Sequence, residues 1–323
     1  MGKESLKSNG IQITGFGHYF PEKVVTNEEI YARLKYPEMH PAEKAVIGDI
    51  GVDARFRANE TETAEFMAAR AAEMALKDAN VKPEEIDLYI LANWTDRYYL
   101  PDLAPEASKL TGTKNALAFD LSTACTGFVH GVQTASMYLL SGKFKKAIVV
   151  GSERFSVRVK EGGYGEFTGG DAAGAVILEY TGNTSHGLVD MFLKDNANLK
   201  YIITCPAPKG LTKSYPDLIP NAINDSLKAI DILMDNNGLS VEDVDWLVPH
   251  PGTILVVRGV SDGTKIPKEK QLSNFSYCGN TSAASIPIVL SENKHKGKFK
   301  KGDVFICPAV GGGWYYGGVL FKL

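Results

Sequence analysis

The chain has 323 residues, 44% of them apolar and 23% charged, and its 35 Lys and Arg against 38 Asp and Glu leave a formal net charge of −3. This is globular composition with enough chain for a core that encloses a site, so a small stapled scaffold and a disordered chain are excluded. The charges are mixed along the sequence, which leaves no electrostatic footprint for nucleic acid and no acidic or basic tail.

The stretch Met1 to Gly10 is polar and lacks the apolar run of a secretory signal, and Leu6 stands where a myristoylation motif needs Ser or Thr. No run approaches the roughly 18 apolar residues of a membrane span, so a soluble, cytoplasmic protein without membrane contact is expected. A helical pattern ending in Met74-Ala-Leu-Lys-Asp-Ala-Asn80 leads into a strand within residues 84–91. A turn of small residues, Asp120-Leu-Ser-Thr-Ala124, opens a helix from Cys125 to about Leu140, and Gly142-Lys-Phe-Lys-Lys146 then precedes a strand over residues 147–150. The Gly-rich Gly169-Gly-Asp-Ala-Ala-Gly174 turns into a final strand.

The same order then recurs. Ile232-Leu-Met-Asp-Asn-Asn-Gly238 leads into a strand within residues 242–248, a helix runs from Asn280 to about Leu290, and Gly297-Lys-Phe-Lys-Lys301 precedes a strand over residues 304–306. Gly312-Gly-Trp-Tyr-Tyr-Gly317 then enters the last strand. The five-residue match lies at an offset of 297 minus 142, or 155; the helix–strand unit is offset by 232 minus 74, or 158; the Gly-rich turn by 312 minus 169, or 143, with about a dozen extra residues in the first half. The chain therefore reads as one α/β unit of two halves, 1–180 and 181–323, related by a pseudo-two-fold axis with the site between them. Alternating strands and helices predict parallel pairing with both sheet faces covered.

At the offset of 155, Cys125 falls on Asn280 and Thr126 on Thr281. Asn is a good helix cap and Cys is not, so something other than capping placed Cys125 there. At a helix N-terminus the macrodipole and free N–H groups favour the thiolate that a nucleophile needs; a buried small hydrophobe is the competing reading. His250 follows the strand Trp246-Leu-Val-Pro249, at the sheet edge where α/β folds place their chemistry, or is a core histidine. Asn280 is a functional amide or a plain cap. Gly311-Gly-Gly313 is a mere turn, or brings backbone N–H groups to a substrate oxygen. No phosphate-loop or dinucleotide fingerprint is present. Cys205, Cys278 and Cys307 read as structural, and His18, His40, His130, His186 and His295 show no partner spacing. No CxxC or HExxH motif occurs, so zinc is not expected.

The joint order of Gly15-Phe-Gly-His-Tyr-Phe-Pro-Glu-Lys-Val-Val-Thr-Asn27, Ala124-Cys-Thr-Gly-Phe128, Gly151-Ser-Glu153, Gly170-Asp-Ala-Ala-Gly-Ala175, Gly279-Asn-Thr-Ser-Ala-Ala-Ser285 and Gly311-Gly-Gly-Trp-Tyr-Tyr-Gly317 resembles the β-ketoacyl-acyl carrier protein synthase III family of the thiolase superfamily. The resemblance covers nearly the whole chain. It implies the thiolase fold, with duplicated βαβαβ halves packed as α/β/α/β/α layers. It also implies Cys125 as the nucleophile that takes an acyl group from a thioester, and the N–H groups of Cys125 and Gly312 as its oxyanion hole. His250 and Asn280 become the pair that bonds the thioester oxygen of a malonyl-type extender as it loses CO2. The resemblance places the segment Trp94 to Leu100, with Arg97, Tyr98 and Tyr99, at the acyl pocket across a dimer, so Tyr99, Leu100 and Phe167 are acyl-pocket candidates.

By the same resemblance the chain is expected to be a homodimeric acyltransferase and condensing enzyme. Its substrates are acyl-coenzyme A or acyl-carrier protein with a malonyl-type or β-ketoacyl thioester, and no metal or redox cofactor is needed. The family's His-Gln-Ala-Asn is here His250-Pro-Gly-Thr253, its adenine-gripping Trp and Arg fall on Ala45 and Asp49, and the basic residue for carrier docking falls on Leu255, leaving Arg258 one turn later. These departures favour a specialised fatty-acid-like or polyketide-like pathway. The alternatives are an acyltransferase making an ester or amide with His250 as general base, and a non-catalytic subunit of a heterodimeric synthase.

Overall fold

The computed structural model describes residues 2–39, 41, 44, 48–206 and 210–323; His40 and Ala45, named above, lie outside the described residues. The first sheet comprises β1 (Ile11–Tyr19), β2 (Leu88–Ala92), β3 (Leu117–Leu121), β4 (Lys146–Arg154) and β5 (Asp171–Tyr180), in the order β1-β5-β4-β2-β3. The second comprises β6 (Gly187–Asp195), β7 (Trp246–Leu247), β8 (Val304–Gly311) and β9 (Tyr315–Lys322), in the order β6-β9-β8-β7. The place of a fifth strand is held by a single parallel bridge from Leu247 to Gln271.

The expectation of parallel sheets holds for only part of each sheet. β2 pairs in parallel with β3 and β4, and β7 with β8, whereas β5 and β9 run antiparallel to both of their neighbours. For β9 the reason is connection length: three residues, Gly312 to Trp314, separate it from β8, and a crossover to a parallel neighbour needs a dozen or more.

Six helices cover the sheets: α1 (Ala64–Ala79), α2 (Ala104–Thr111), α3 (Gly127–Leu140), α4 (Leu218–Asn236), α5 (Ile254–Gly263) and α6 (Ser285–His295). Alternation along a strand decides which layer each side chain joins. Leu88 and Ile90 of β2 enter the central core with Phe128, Val132 and Leu139 of α3, Ile286 and Leu290 of α6, and Phe305 and Val319 of the second sheet. Tyr89 and Leu91, one residue out of phase, pack outward on the alanines of α1 and α2. On the far side, Ile306 and Leu320 meet Ile230 and Leu233 of α4 and Val256 and Val260 of α5. The outcome is five layers, α/β/α/β/α, with α3 and α6 as the central one.

The structure corrects the register of the duplication. Leu88 pairs with Ala147 in the first half and Trp246 with Phe305 in the second, so both strands are related by 158 residues. The helices α3 and α6 begin at Gly127 and Ser285, again 158 apart, and their preceding 3-10 turns are Ala124–Thr126 and Ser282–Ala284. Cys125 therefore corresponds to Ala283, not to Asn280. The repeated Gly-Lys-Phe-Lys-Lys lies at 155 because α6 has 11 residues against 14 in α3, and the strand after it starts three residues later. The second helix accordingly begins and ends about five residues later than expected, at Ser285 and His295.

Candidate active site

The 3-10 turn Ala124–Thr126 lifts Cys125 to the start of α3. Ala124 adopts a left-handed φ of 47°, and the Thr126 hydroxyl donates to the Thr123 carbonyl at 2.6 Å, which closes the turn. Gly311 supports it from the second half. A Cβ at Gly311 would lie 2.8 Å from the Thr126 nitrogen and 3.1 Å from the Cys125 nitrogen, so only glycine lets β8 approach the nucleophile's backbone. Gly151 does the same on β4, where a Cβ would lie 2.4 Å from the Ala283 carbonyl oxygen.

Cys125, His250, Asn280, Gly311 and Gly312 share one cavity of ≈ 270 Å³, whose apolar wall includes Val256 and Trp314. His250 continues the line of β7, its N–H donating to the Pro308 carbonyl at 2.9 Å, and it is buried with Nδ1 unpartnered. Burial without a charged partner pushes its pKa down to about 3, so the ring is neutral. Asn280 donates through Nδ2 to the Gly252 carbonyl at 3.0 Å and accepts the Ser282 N–H at Oδ1, 2.8 Å. It thus caps its own turn and ties down the loop after His250. Trp314 is fixed by its Nε1–H, which donates to Asp225 at 2.7 Å.

The helix N-terminus does not give Cys125 a resting thiolate. Burial, with the Glu153 carboxyl nearby, pushes the thiol up to about 12, because the lost hydration of the anion outweighs the dipole. Ser282 donates to Cys125 Sγ at 3.4 Å and receives the Trp94 indole N–H at 2.8 Å. Neither Trp94 nor Ser282 was singled out for this contact by the sequence, since they are far apart in the chain. Tyr99 and Leu100 are 83% and 87% exposed and lie outside their own chain's cavity lining. Phe167 is fully buried in a separate cluster with Ile30, Val52 and Phe275, beside Arg55, whose Nε donates to the Phe167 carbonyl at 3.1 Å.

Other candidates fall elsewhere. Cys278 and Cys307 are buried, and the half-buried Cys205 donates through its thiol to the Gly210 carbonyl at 3.2 Å. His18 and His295, unrelated by spacing, meet at Ser291, whose hydroxyl lies 2.8 Å from His18 Nδ1 and 3.4 Å from His295 Nδ1. Arg258 is ion-paired with Asp49, and Leu255 beside it is exposed. No helix of the described residues is long and apolar enough to cross a membrane.

Two family models match the chain: 3-oxoacyl-[acyl-carrier-protein] synthase III over residues 119–197 and its C-terminal domain over residues 234–323. The β-ketoacyl-[acyl-carrier-protein] synthase III of Clostridium acetobutylicum is 32% identical, over 97% of this chain and 99% of its own. Among solved structures, the 3-oxoacyl-[acyl-carrier-protein] synthase III of Aquifex aeolicus superposes with a TM-score of 0.88 at 31% identity, covering 97% of this chain and all of that one. That of Pseudomonas aeruginosa gives 0.89 at 28%, covering 97% and 98%. The thiolase fold and these likenesses define an acyl-transferring condensing enzyme. The chain belongs to the β-ketoacyl-acyl carrier protein synthase III family.

Proposed function

We propose that Cys125 takes an acyl group from a thioester carried by coenzyme A or acyl carrier protein. The acyl-cysteine is then condensed with a malonyl-type or β-ketoacyl thioester held by His250 and Asn280. The observation that carries this reading is that a neutral imidazole and a side-chain amide share one cavity with the cysteine. In the first step the Cys125 sulfur bonds the acyl carbon, the carrier thiol leaves, and the oxyanion of the tetrahedral intermediate is met by the Cys125 and Gly312 N–H groups. In the second, loss of CO2 from the extender leaves its electron pair as an enolate, whose oxygen is stabilised by two neutral donors. The enolate carbon attacks the acyl-cysteine, the C–S bond breaks, and a β-keto thioester departs.

The competing reading, acyl transfer with His250 as base, is disfavoured by the burial that holds His250 neutral with a pKa of about 3; such a ring suits donation better than proton abstraction. The homodimer is supported by the exposed run Tyr98-Tyr99-Leu100, a surface that gains by burial against a second copy. The pairing of Arg258 with Asp49 neutralises the one basic residue left from the family's docking pattern, which supports a specialised pathway and a less basic carrier surface. The test is incubation with a panel of acyl-coenzyme A and acyl-carrier thioesters, reading the mass added at Cys125. Malonyl-carrier protein is then added and the product identified. Failure of every thioester to acylate Cys125 revives the non-catalytic subunit.

A further inference from the structure

Backbone contacts grip Asn280 on both sides, and those contacts lead to two arginines. We propose that Arg55 and Arg57 are positioning residues for the decarboxylating half of the reaction, acting through the turn that clamps Asn280. The strand Ala54–Arg57 pairs antiparallel with Lys23–Thr26, and alternation puts Arg55 and Arg57 on one face. Arg55 is fully buried. Its Nε donates to the Phe167 carbonyl at 3.1 Å, Nη2 to the same oxygen at 2.5 Å and to Asn27 Oδ1, and Nη1 to the Val25 carbonyl at 3.0 Å. Arg57 donates through Nη1 to the Gly169 carbonyl at 2.6 Å and through Nη2 to the Glu166 carbonyl at 2.5 Å. Both guanidinium groups thus serve backbone oxygens rather than carboxylates.

Those oxygens belong to the end of the short helix Tyr164–Thr168 and its cap, Gly169. The last carbonyls of a helix have no partner within it and carry its negative end, so a cation suits them. Of the four carbonyls from Glu166 to Gly169, the arginines take three. The fourth, that of Thr168, accepts the Asn280 N–H at 2.6 Å, and the Gly170 N–H donates to the Asn280 carbonyl at 2.9 Å. The two turns meet without slack. A Cβ at Gly279 would lie 2.2 Å from the Thr168 carbonyl oxygen, and one at Gly170 would lie 2.0 Å from that of Cys278. The Asp53 N–H donates to the Ser276 carbonyl at 2.7 Å, so the segment that carries the arginines also holds the helix Phe275–Cys278 that leads into Asn280.

The consequence is chemical. The Asn280 amide nitrogen carries two protons, and one of them goes to the Gly252 carbonyl. The second is the one an extender oxygen can use, and a displacement of about 1 Å at such a donor can cost on the order of 10²-fold in rate. Cys125 hangs on a different turn, closed by the Thr126 hydroxyl on Thr123 and backed by Gly311. The arginines therefore bear on the step that uses Asn280 more than on the acylation of the sulfur.

The inference rests on the reading of Asn280 as a donor to the extender, and the experiment separates the two. Acylation of Cys125, read by mass, and ¹⁴CO2 release from malonyl-acyl carrier protein are compared in the wild type, Arg57→Met, Arg57→Lys, Asn280→Ala and the Arg57→Met/Asn280→Ala double variant. Arg57→Met is expected to lower kcat for CO2 release about tenfold, with changes of less than about twofold in KM and in acylation. Arg57→Lys should fall between, since one ammonium replaces only one of the two donors. In the double variant the Arg57→Met loss should vanish, because the amide it positions is gone. Wild-type CO2 release by Arg57→Met, an equal loss of acylation, or a tenfold loss that persists in the Asn280→Ala background would overturn the positioning role. Wild-type CO2 release by Asn280→Ala would instead overturn the reading of the amide itself. Hydrogen exchange read by mass needs no substrate: Arg57→Met should exchange faster at residues 166–170 and 279–282 than the wild type, with no change at 123–128. Identical exchange at 279–282 would overturn the clamp even if no thioester is turned over.

Discussion

Ala124 and Ser282 stand 158 residues apart and hold the same left-handed backbone, with φ of 47° and 52°. Each opens a 3-10 turn that leads into a central helix, and the two turns touch across the pseudo-axis. In a non-glycine residue this conformation is uncommon and is sustained only where surroundings dictate it. Here the first turn presents the sulfur, and the second presents the hydroxyl that reaches it at 3.4 Å. The duplication thus supplies a nucleophile from one half and its hydrogen-bond partner from the equivalent place in the other.

Cys125→Ala is expected to abolish the covalent acyl adduct in intact-mass spectra after incubation with a competent acyl thioester. The other three cysteines are buried or bonded elsewhere, so an adduct at the wild-type level in the variant would remove Cys125 from its role.

Asn280→Ala should retain acylation of Cys125 and lose roughly 10²–10³-fold in CO2 release from a malonyl thioester, the usual effect of removing one donor to a developing oxyanion. His250→Ala should behave alike. Unchanged decarboxylation, measured as released ¹⁴CO2, would take either residue out of the pair.

The neutral His250 makes a prediction about acid stability. Its folded pKa, about 3, lies below the ordinary 6.5, so the unfolded chain binds the extra proton between these values. The stabilisation is complete above pH 6.5 and is lost as pH falls towards 3. Urea midpoints between pH 7 and 4 should fall less steeply for His250→Asn than for the wild type, and parallel curves would contradict the assignment.

Glu153 predicts the opposite slope. Its folded pKa, about 8, lies above the ordinary 4.5, so its favourable contribution is complete below pH 4.5 and is lost as pH rises through 8. The Tm of Glu153→Gln, relative to wild type, should therefore rise between pH 5 and pH 9. A constant difference in calorimetry would show that Glu153 ionises normally.

Gly311→Ala places a methyl group 2.8 Å from the Thr126 nitrogen and 2.9 Å from the Thr123 oxygen, both backbone atoms that cannot swing aside. We expect a loss of about 1–3 kcal/mol in stability, the usual range for overpacking, and a larger fall in acylation rate as the turn bearing Cys125 is displaced. Wild-type acylation by this variant would mean that the contact does not hold the turn.

Much was legible in the sequence because it is written in local chemistry. Apolar strands, small-residue turns and the order of elements revealed two related halves, and the quoted motifs around Cys125, His250 and Asn280 led to the residues that share the cavity. The register of the repeat was misread, because the most conspicuous match, Gly142-Lys-Phe-Lys-Lys146 with Gly297-Lys-Phe-Lys-Lys301, spans a shortened helix and a compensating lengthened loop. The strands β1 and β6 were also missed as a repeated pair, since they are 176 residues apart, from Ile11 to Gly187, and share no other offset.

The sequence by itself thus determined the layers, the family and the residue types of the site, all of which follow from periodicity and from short motifs. Only the tertiary structure decided the protonation of Cys125 and His250 and the approach of Glu153, Ser282 and Trp94 to the sulfur. Those properties depend on how much water each group loses and on which residues, distant in the chain, the two sheets bring together, and neither quantity is carried by any local stretch of sequence.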